Sequence, residues 1–211
     1  MPHIIMRILI TAGPTREPID PVRYIGNRSS GRLGSALAHA ALRAGHKVTL
    51  ILGPVTAHMP PDARRIDVQT AAQMHAAVLR QFPRHDLLIM AAAVADFRPV
   101  KVARGKLARS GRLVIDCEPT EDIAAAAGRA KRPQQRTIAF SLESAAGLAR
   151  SRRKLRYKNA DLIVYNPVQT IDSPTIRAVL IWPDGRTERL GCRSKAKLAD
   201  ILIKRAEALF A

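Results

Sequence analysis

The chain has 211 residues, 47% apolar and 25% charged, and 35 Lys and Arg against 17 Asp and Glu give it a net charge of +18. That length suits one domain over 1–211, no apolar run is long enough to cross a bilayer, and neither a secretory leader nor a cysteine framework is evident around Cys117 and Cys192, so the expected home is a reducing cytoplasm. The basic excess fits a solvated surface, a nucleic-acid binder or an enzyme for polyanions, but aromatic residues make up only 4% and the cations are dispersed apart from residues 150–158, which disfavours specific nucleic-acid recognition.

Residues 8–11 are a short apolar run that breaks at Gly13-Pro14, which predicts a buried strand. Residues 31–44 are rich in Ala and Leu and predict a helix, with Gly45 as its terminating residue. A strand at 48–52 stops at Gly53-Pro54, and a helix at 71–81 precedes a third strand at 87–93. Alternation of helices with nearly continuous apolar strands predicts an α/β fold, a Rossmann-like parallel sheet with helices on both faces. Residues 98–111 are rich in Arg, Lys and Gly and predict a long functional or mobile loop. A strand at 113–115, a helix at 121–129, a strand at 137–141, a basic helix at 145–157 and a strand at 162–165 follow. Residues 177–182 and 187–190, joined by Pro183-Asp184-Gly185, predict a C-terminal β-hairpin, and 194–210 an amphipathic closing helix.

The segment after the first strand ends in Gly26-Asn27-Arg28-Ser29-Ser30-Gly31-Arg32-Leu33-Gly34. Gly31 and Gly34 open a helix, where free N–H groups and the positive end of the dipole suit an anion. It is not a plain dinucleotide site. The connection is much longer than a G-x-G-x-x-G turn, and the second strand ends at Leu52-Gly53-Pro54 without an acidic residue for a ribose. No Gly-Lys-Ser/Thr follows the glycines, so it is not a Walker loop either.

This loop belongs to a longer pattern. Residues 10–25, Ile-Thr-Ala-Gly-Pro-Thr-Arg-Glu-Pro-Ile-Asp-Pro-Val-Arg-Tyr-Ile, with Asn27 and Ser29-Ser30-Gly31, resemble the opening signature of phosphopantothenoylcysteine synthetases. Ala91-Ala92-Ala93-Val94-Ala95-Asp96-Phe97, Lys106-Leu107, and Lys154-Leu155 with Lys158, Asn159 and Asp161 resemble that family's later motifs in the same order. The resemblance covers essentially the whole chain. It implies a stand-alone form of a synthetase that is elsewhere fused behind a flavin-dependent decarboxylase, with no flavin of its own. It implies a ligase of coenzyme A biosynthesis. The carboxylate of 4′-phosphopantothenate attacks the α-phosphate of CTP, in preference to ATP, to give an acyl-nucleotide and pyrophosphate, and the amine of cysteine then displaces CMP. Mg²⁺ accompanies the nucleotide. A separate decarboxylase is a candidate partner, and a homodimer paired through the 177–190 hairpin is expected.

The resemblance assigns catalysis to Arg23, Asn27 and Lys106, and nucleotide binding to Ala92, Asp96, Lys106, Phe140, Lys154 and Lys158. It assigns the acyl substrate to Gly13, Asn27, Ser29, Ser30, Gly31 and Ala93, and it assigns no protein-held metal. Blander roles compete at each position: a solvated loop lysine for Lys106, a basic helix face for Lys154 and Lys158, and a helix cap for Asp96. Strand packing competes at Ala92 and Ala93, a core aromatic at Phe140, loop capping at Asn27 and a surface salt bridge at Arg23. The chain also departs from the family pattern. Ala108 interrupts the lysine-rich loop, Leu142 is bulky within Ala139–Ser144, Glu121 adds a negative charge, and Arg32 replaces a lysine. These departures leave open a catalytically altered homologue that binds nucleotide or acyl-phosphate without turnover.

Overall fold

The computed structural model describes residues 4–144, 147–170, 173 and 175–210, the side chain of Thr170 excepted. In chain order it runs β1 (Arg7–Ala12), β2 (Arg16–Pro18), β3 (Tyr24–Gly26), α1 (Arg32–Arg43), β4 (Lys47–Leu52), β5 (Arg64–Asp67), α2 (Ala71–Gln81) and β6 (Leu87–Met90). Then come β7 (Phe97–Pro99), β8 (Cys117–Pro119), α3 (Ile123–Ala130), β9 (Arg136–Glu143), α4 (Gly147–Tyr157), β10 (Leu162–Pro167), β11 (Thr175–Ile181), β12 (Thr187–Ser194) and α5 (Lys195–Glu207).

One sheet carries the order β12-β11-β10-β9-β6-β1-β4-β5. From β10 to β5 every neighbour is parallel, and β11 and β12 extend the β10 edge in antiparallel register. The hairpin is therefore a continuation of the main sheet. Both faces are covered, as the unbroken apolar strands require. Ile8, Ile10 and Ala12 pack with Leu37, Ala38 and Ala41 of α1 and Leu198, Leu202 and Ala206 of α5. Leu9, Ile51 and Leu88 point the other way, onto Met74 and Val78 of α2 and Ile123 of α3. Each such leucine or isoleucine removed from water contributes roughly 1.5–3 kcal/mol before the entropy of ordering is set against it.

Local signals end the helices. After α1, Gly45 takes φ 81°, and the N–H groups of Gly45 and His46 donate to the carbonyls of Leu42 and Ala41, closing a Schellman turn. Thr70 and Gln73 form a reciprocal capping box on α2, while Asp122 caps α3 and Ser194 caps α5.

Three expectations change. The third strand stops at Met90 instead of running to Ala93, so Asp96 lies six residues beyond its end, and it caps no helix. Residues 113–115 form no strand, and the pairing in that region is β7 with β8. Three-residue β2 and β3 pair within the supposed loop after β1, and β5 adds a parallel edge strand. Of the basic helix, 145–146 lie outside the described residues and 147–157 are helical.

A buried histidine makes the fold pH-sensitive. His85 Nδ1 lies 2.8 Å from the Gln81 carbonyl, which can only accept, so Nδ1 carries the proton and Nε2 accepts from the Thr49 hydroxyl at 2.9 Å. Burial pushes its pKa below the ordinary 6.5, because a second proton would be desolvated and would remove that acceptor. The unfolded chain thus takes up a proton below about pH 6.5 that the native state refuses, and stability falls as pH drops through that range. Denaturant midpoints should decline between pH 7.5 and 5.5, and His85→Gln should flatten the decline; an equally steep slope in the variant would assign it to other groups.

Candidate functional site

The chain leaves β1 towards β4 and β5 on one side, then returns through β6 towards β9 and β10 on the other. Between β1 and β6 lies the switch point of the sheet, where open parallel sheets leave a crevice beyond their carboxyl ends. A cavity of about 600 Å³ opens there.

Its floor is the backbone after β6. Ala93 N–H donates to the Gly13 carbonyl at 2.9 Å, Thr15 N–H to the Ala93 carbonyl at 3.3 Å, and Ala95 N–H to the Thr15 hydroxyl at 2.9 Å. These bonds extend the β1–β6 contact past the sheet and hold Ala92 and Ala93 against the cavity. One wall is 27–33, at the start of α1. Gly31 is the N-cap at φ 77°, and a Cβ there would stand 2.5 Å from Val55 Cγ1. Gly34 lets α1 lie directly on β1, since a Cβ would meet that of Ala12 at 2.2 Å. Asn27 Nδ2 donates to the Val94 carbonyl at 2.8 Å, which ties this wall to the floor.

The opposite wall comes from β9, α3 and α4. Phe140 lines the cavity and also packs on the main core. Lys154 reaches Glu143 Oε1 at 2.6 Å, and Lys158 reaches both oxygens of Asp122 at 2.8 and 2.7 Å. Glu143 ends β9 with its side chain 7% exposed. Burial pushes its carboxyl up, but the hydrogen bond and charge of Lys154, with Arg150 behind, bring it below the ordinary value. Burial likewise opposes the Asp122 charge, and Lys158 together with the α3 N–H groups outweighs it. Both lysines are thus fixed in place by carboxylates, each supplied by a different element.

Asn27, Ser29, Ser30, Gly31, Ala92, Ala93, Asp96, Phe140, Lys154 and Lys158 all line this one cavity. Arg23, Lys106 and Gly13 do not. Gly13 is buried behind the floor. Arg23 pairs with Asp20 at 3.2 Å and donates to the Leu107 carbonyl at 3.1 Å, while Leu107 N–H donates to Asp20 Oδ2 at 3.2 Å. Burial disfavours the Asp20 charge, yet the N–H groups of Val22, Arg23 and Leu107 hold its carboxyl below the usual range. Asp20 and Arg23 therefore anchor the stem of the segment bearing Lys106, whose own side chain is exposed.

Sequence reasoning missed Asp122, Glu143 and Asp20. Asp122 carried a signal, as a cap residue before an apolar helix start, while Asp20 and Glu143 lie inside the quoted motifs without a spacing that shows which cation each would hold. Asp96 and Glu121 line the cavity without an ion pair among the described residues, and no cluster of three or more metal-ligating side chains occurs among them. No helix is long and apolar enough to cross a membrane among them.

The chain is similar to known proteins along nearly its whole length. The chain is 41% identical over 209 residues to the coenzyme A biosynthesis bifunctional protein CoaBC of Vibrio vulnificus strain YJ016, across 96% of this chain and 52% of that protein. It is 42% identical over 205 residues to a protein of an unknown prokaryotic organism named cysteine/cysteine sulfinic acid decarboxylase, across 94% of this chain and 57% of that protein. A crystal structure of the C-terminal domain of a CoaBC protein superposes with a TM-score of 0.86 at 35% identity, covering 99% of this chain and 98% of that one. The chain spans about half the length of the curated relatives it matches, so their names describe longer polypeptides. Residues 5–209 match the family described as the DNA/pantothenate metabolism flavoprotein C-terminal domain, and the chain belongs to that family.

Proposed function

We propose that this chain is the phosphopantothenate–cysteine ligase of coenzyme A biosynthesis. The observation that carries the reading is one cavity at the sheet's switch point, joining an anion-suited helix N-terminus to two carboxylate-fixed lysines. That combination suits two anions which must be held together. A carboxylate is a poor nucleophile towards a triphosphate, so charge must be offset and the reactants aligned before they react.

In the proposed first half, 4′-phosphopantothenate lies along 27–31 and the floor at Ala93, and its carboxylate oxygen attacks the α-phosphorus of CTP. The bond from α-phosphorus to the bridging oxygen breaks, and pyrophosphate leaves with that electron pair. Lys154 and Lys158 hold the nucleotide, Asp96 accepts from base or ribose, and Phe140 borders the base. Lys106 offsets the charge of the leaving pyrophosphate, which requires its segment to swing from the exposed position towards the cavity. In the second half, the cysteine amine attacks the acyl carbonyl, CMP leaves, and the amine proton goes to solvent or the departing phosphate. Asn27 serves this step from the cavity lining, and Arg23 would join it only by turning away from Asp20 and the Leu107 carbonyl.

Magnesium bound to the phosphates would add charge neutralisation, and Glu121, a cavity carboxylate without an ion pair among the described residues, would be available to its waters. The decarboxylase name of one relative brings no competing site to this cavity, and that relative's shared stretch is only 57% of its length. The departures at Ala108 and Leu142 make activity itself the decisive measurement. Purified protein with Mg²⁺, CTP, 4′-phosphopantothenate and cysteine should release pyrophosphate and form phosphopantothenoylcysteine. Pyrophosphate release should require the acid but not cysteine. Nucleotide binding without turnover on CTP or ATP would leave the altered, binding-only homologue.

Pairing of two copies is also inferred. Phe97, Val100, Val102, Leu113 and Val114, on β7 and the segment joining it to β8, are each 48% to 67% exposed. On the hairpin, Trp182 packs on its own core beneath the Arg186 guanidinium, 5.3 Å from the ring centroid. The apolar area available for a partner therefore lies on this arm more than on the hairpin. Light scattering at micromolar concentration should give a dimer mass, and Val114→Glu should shift it towards monomer. A wild-type monomer would end the idea.

A further inference from the structure

The outward face of α4 is a cationic surface with no acid of its own. Its sequence, Gly-Leu-Ala-Arg-Ser-Arg-Arg-Lys-Leu-Arg-Tyr, places Leu148 and Leu155 on the core cluster of Ala139, Ile163 and Ile181 and turns the cations outward. Arg150 and Lys154 share Glu143. Arg152, Arg153 and Arg156 have no ion pair among the described residues, although the chain is already far from neutral. Arg150, Arg153, Lys154 and Tyr157, with Glu143 at the base, line a depression of about 360 Å³. Those four helical positions recur at intervals that keep them on one stripe, about 10 Å long at 1.5 Å per residue. Lys154 also lines the main cavity, so one residue borders both spaces.

We propose that this stripe is an outer docking site for the polyphosphate of a nucleoside triphosphate, which is captured on α4 and passed across Lys154 into the cavity. The proposal rests on the reading that such a nucleotide occupies the cavity. The stripe's length matches a triphosphate and is too short to track several phosphates of a duplex. The Tyr157 ring, 66% exposed, bounds the depression with a flat face on which a base can lie. Glu143 prevents the site from becoming a trap. It cancels part of the charge of Lys154 and Arg150, so the net attraction is long-ranged but shallow. A focused positive field of this kind raises association rates without deepening the bound state.

The test is stopped-flow binding of a fluorescent ribose-labelled CTP, with inorganic pyrophosphate as competitor, across ionic strength. The variant is Arg153→Glu, on the stripe, with Arg156→Glu, an exposed arginine that flanks it three residues on. The control is Arg80→Glu with Arg84→Glu, the same charge change at the C-terminal end of α2 and just beyond it, outside the lining of both spaces, where both side chains are exposed. At low salt the α4 variant should bind about tenfold more slowly than wild type and control, and the gap should close to within about twofold near 0.5 M salt. Dissociation and kcat at saturating nucleotide should stay within about twofold, as steering predicts. Arg153→Gln with Arg156→Gln should give an intermediate rate, which guards against misfolding of the charge-reversed pair. An unchanged on-rate, an equal loss in the control, or a gap independent of salt overturns the proposal. Wild-type protein that binds CTP with these kinetics but makes no product would sink the ligase reading and leave the docking site standing. Failure of wild type to bind CTP or pyrophosphate at all removes both.

Discussion

Lys106→Gln is expected to slow acyl-nucleotide formation by roughly a hundredfold to a thousandfold, with the fold and nucleotide affinity largely retained. Removing one charge that comes to stand against negative charge developing in the transition state costs about 3–4 kcal/mol of barrier. The side chain is exposed and lies outside the cavity lining, so its loss removes no packing and should leave the melting temperature within a degree or two of wild type. The geometry adds a second requirement. Leu107 is anchored on both its N–H and its carbonyl by Asp20 and Arg23, and Ala103 N–H donates to the Ile19 carbonyl at 2.9 Å. Those bonds leave Lys106 at the tip of a short tethered stretch, with a limited arc through which to reach the phosphates. The rate of pyrophosphate release in single turnover, without cysteine, measures the step directly. A variant that releases pyrophosphate at the wild-type rate would show that Lys106 takes no part in the first half-reaction.

The same tether marks the boundary of what the amino-acid pattern reveals. Strong periodicity and punctuation carried α1, β4, α2 and α5, because apolar spacing and caps such as Gly45 and Thr70 are local facts. The motif residues around Asn27, Ala92 and Phe140 lie on three separate elements, yet all lie at the carboxyl ends of neighbouring strands. A parallel sheet brings those ends together whatever the spacing. The short ladders were illegible. β2 and β3 are three residues each with Pro18 in one of them, and β5 reads Arg-Arg-Ile-Asp with its two arginines exposed, which is edge-strand chemistry without alternation. Leu113-Val114-Ile115 has strand composition but stays unpaired, with Leu113 and Val114 56% and 67% exposed. Composition records a preference for burial, and here nothing within the described chain buries them. The lysines repeat the lesson. Spacing puts Lys154 and Lys158 on one face, but the carboxylates that fix them come from β9 and from the cap of α3. Long-range pairing of that kind leaves no periodic trace.

Asn27→Asp should fail at the other half of the reaction. Asn27 stands where the α1 loop meets the floor, in the cavity lining beside Ser29 and Ala93, and its amide already donates to the Val94 carbonyl at 2.8 Å. An amide N–H so held can stabilise the oxygen of an acyl carbonyl as cysteine attacks and negative charge grows on it. Aspartate nearly preserves the shape but presents an anion in place of the donor, so it repels the developing charge and also loses the bond to Val94. The ground state of the first half asks much less of this position, since the triphosphate is held by cations on the opposite wall. Pyrophosphate should therefore still appear, at a rate within about tenfold of wild type, while product formation falls by roughly a hundredfold or more, the scale set by losing one oxyanion donor. The acyl-nucleotide should accumulate and be visible by mass spectrometry. Lys106→Gln should show no such species, because its block lies upstream. A loss of pyrophosphate release in Asn27→Asp equal to that in Lys106→Gln, with no intermediate in either, would mean that both residues act on a single step, and the assignment of these two residues to two half-reactions would fall with it.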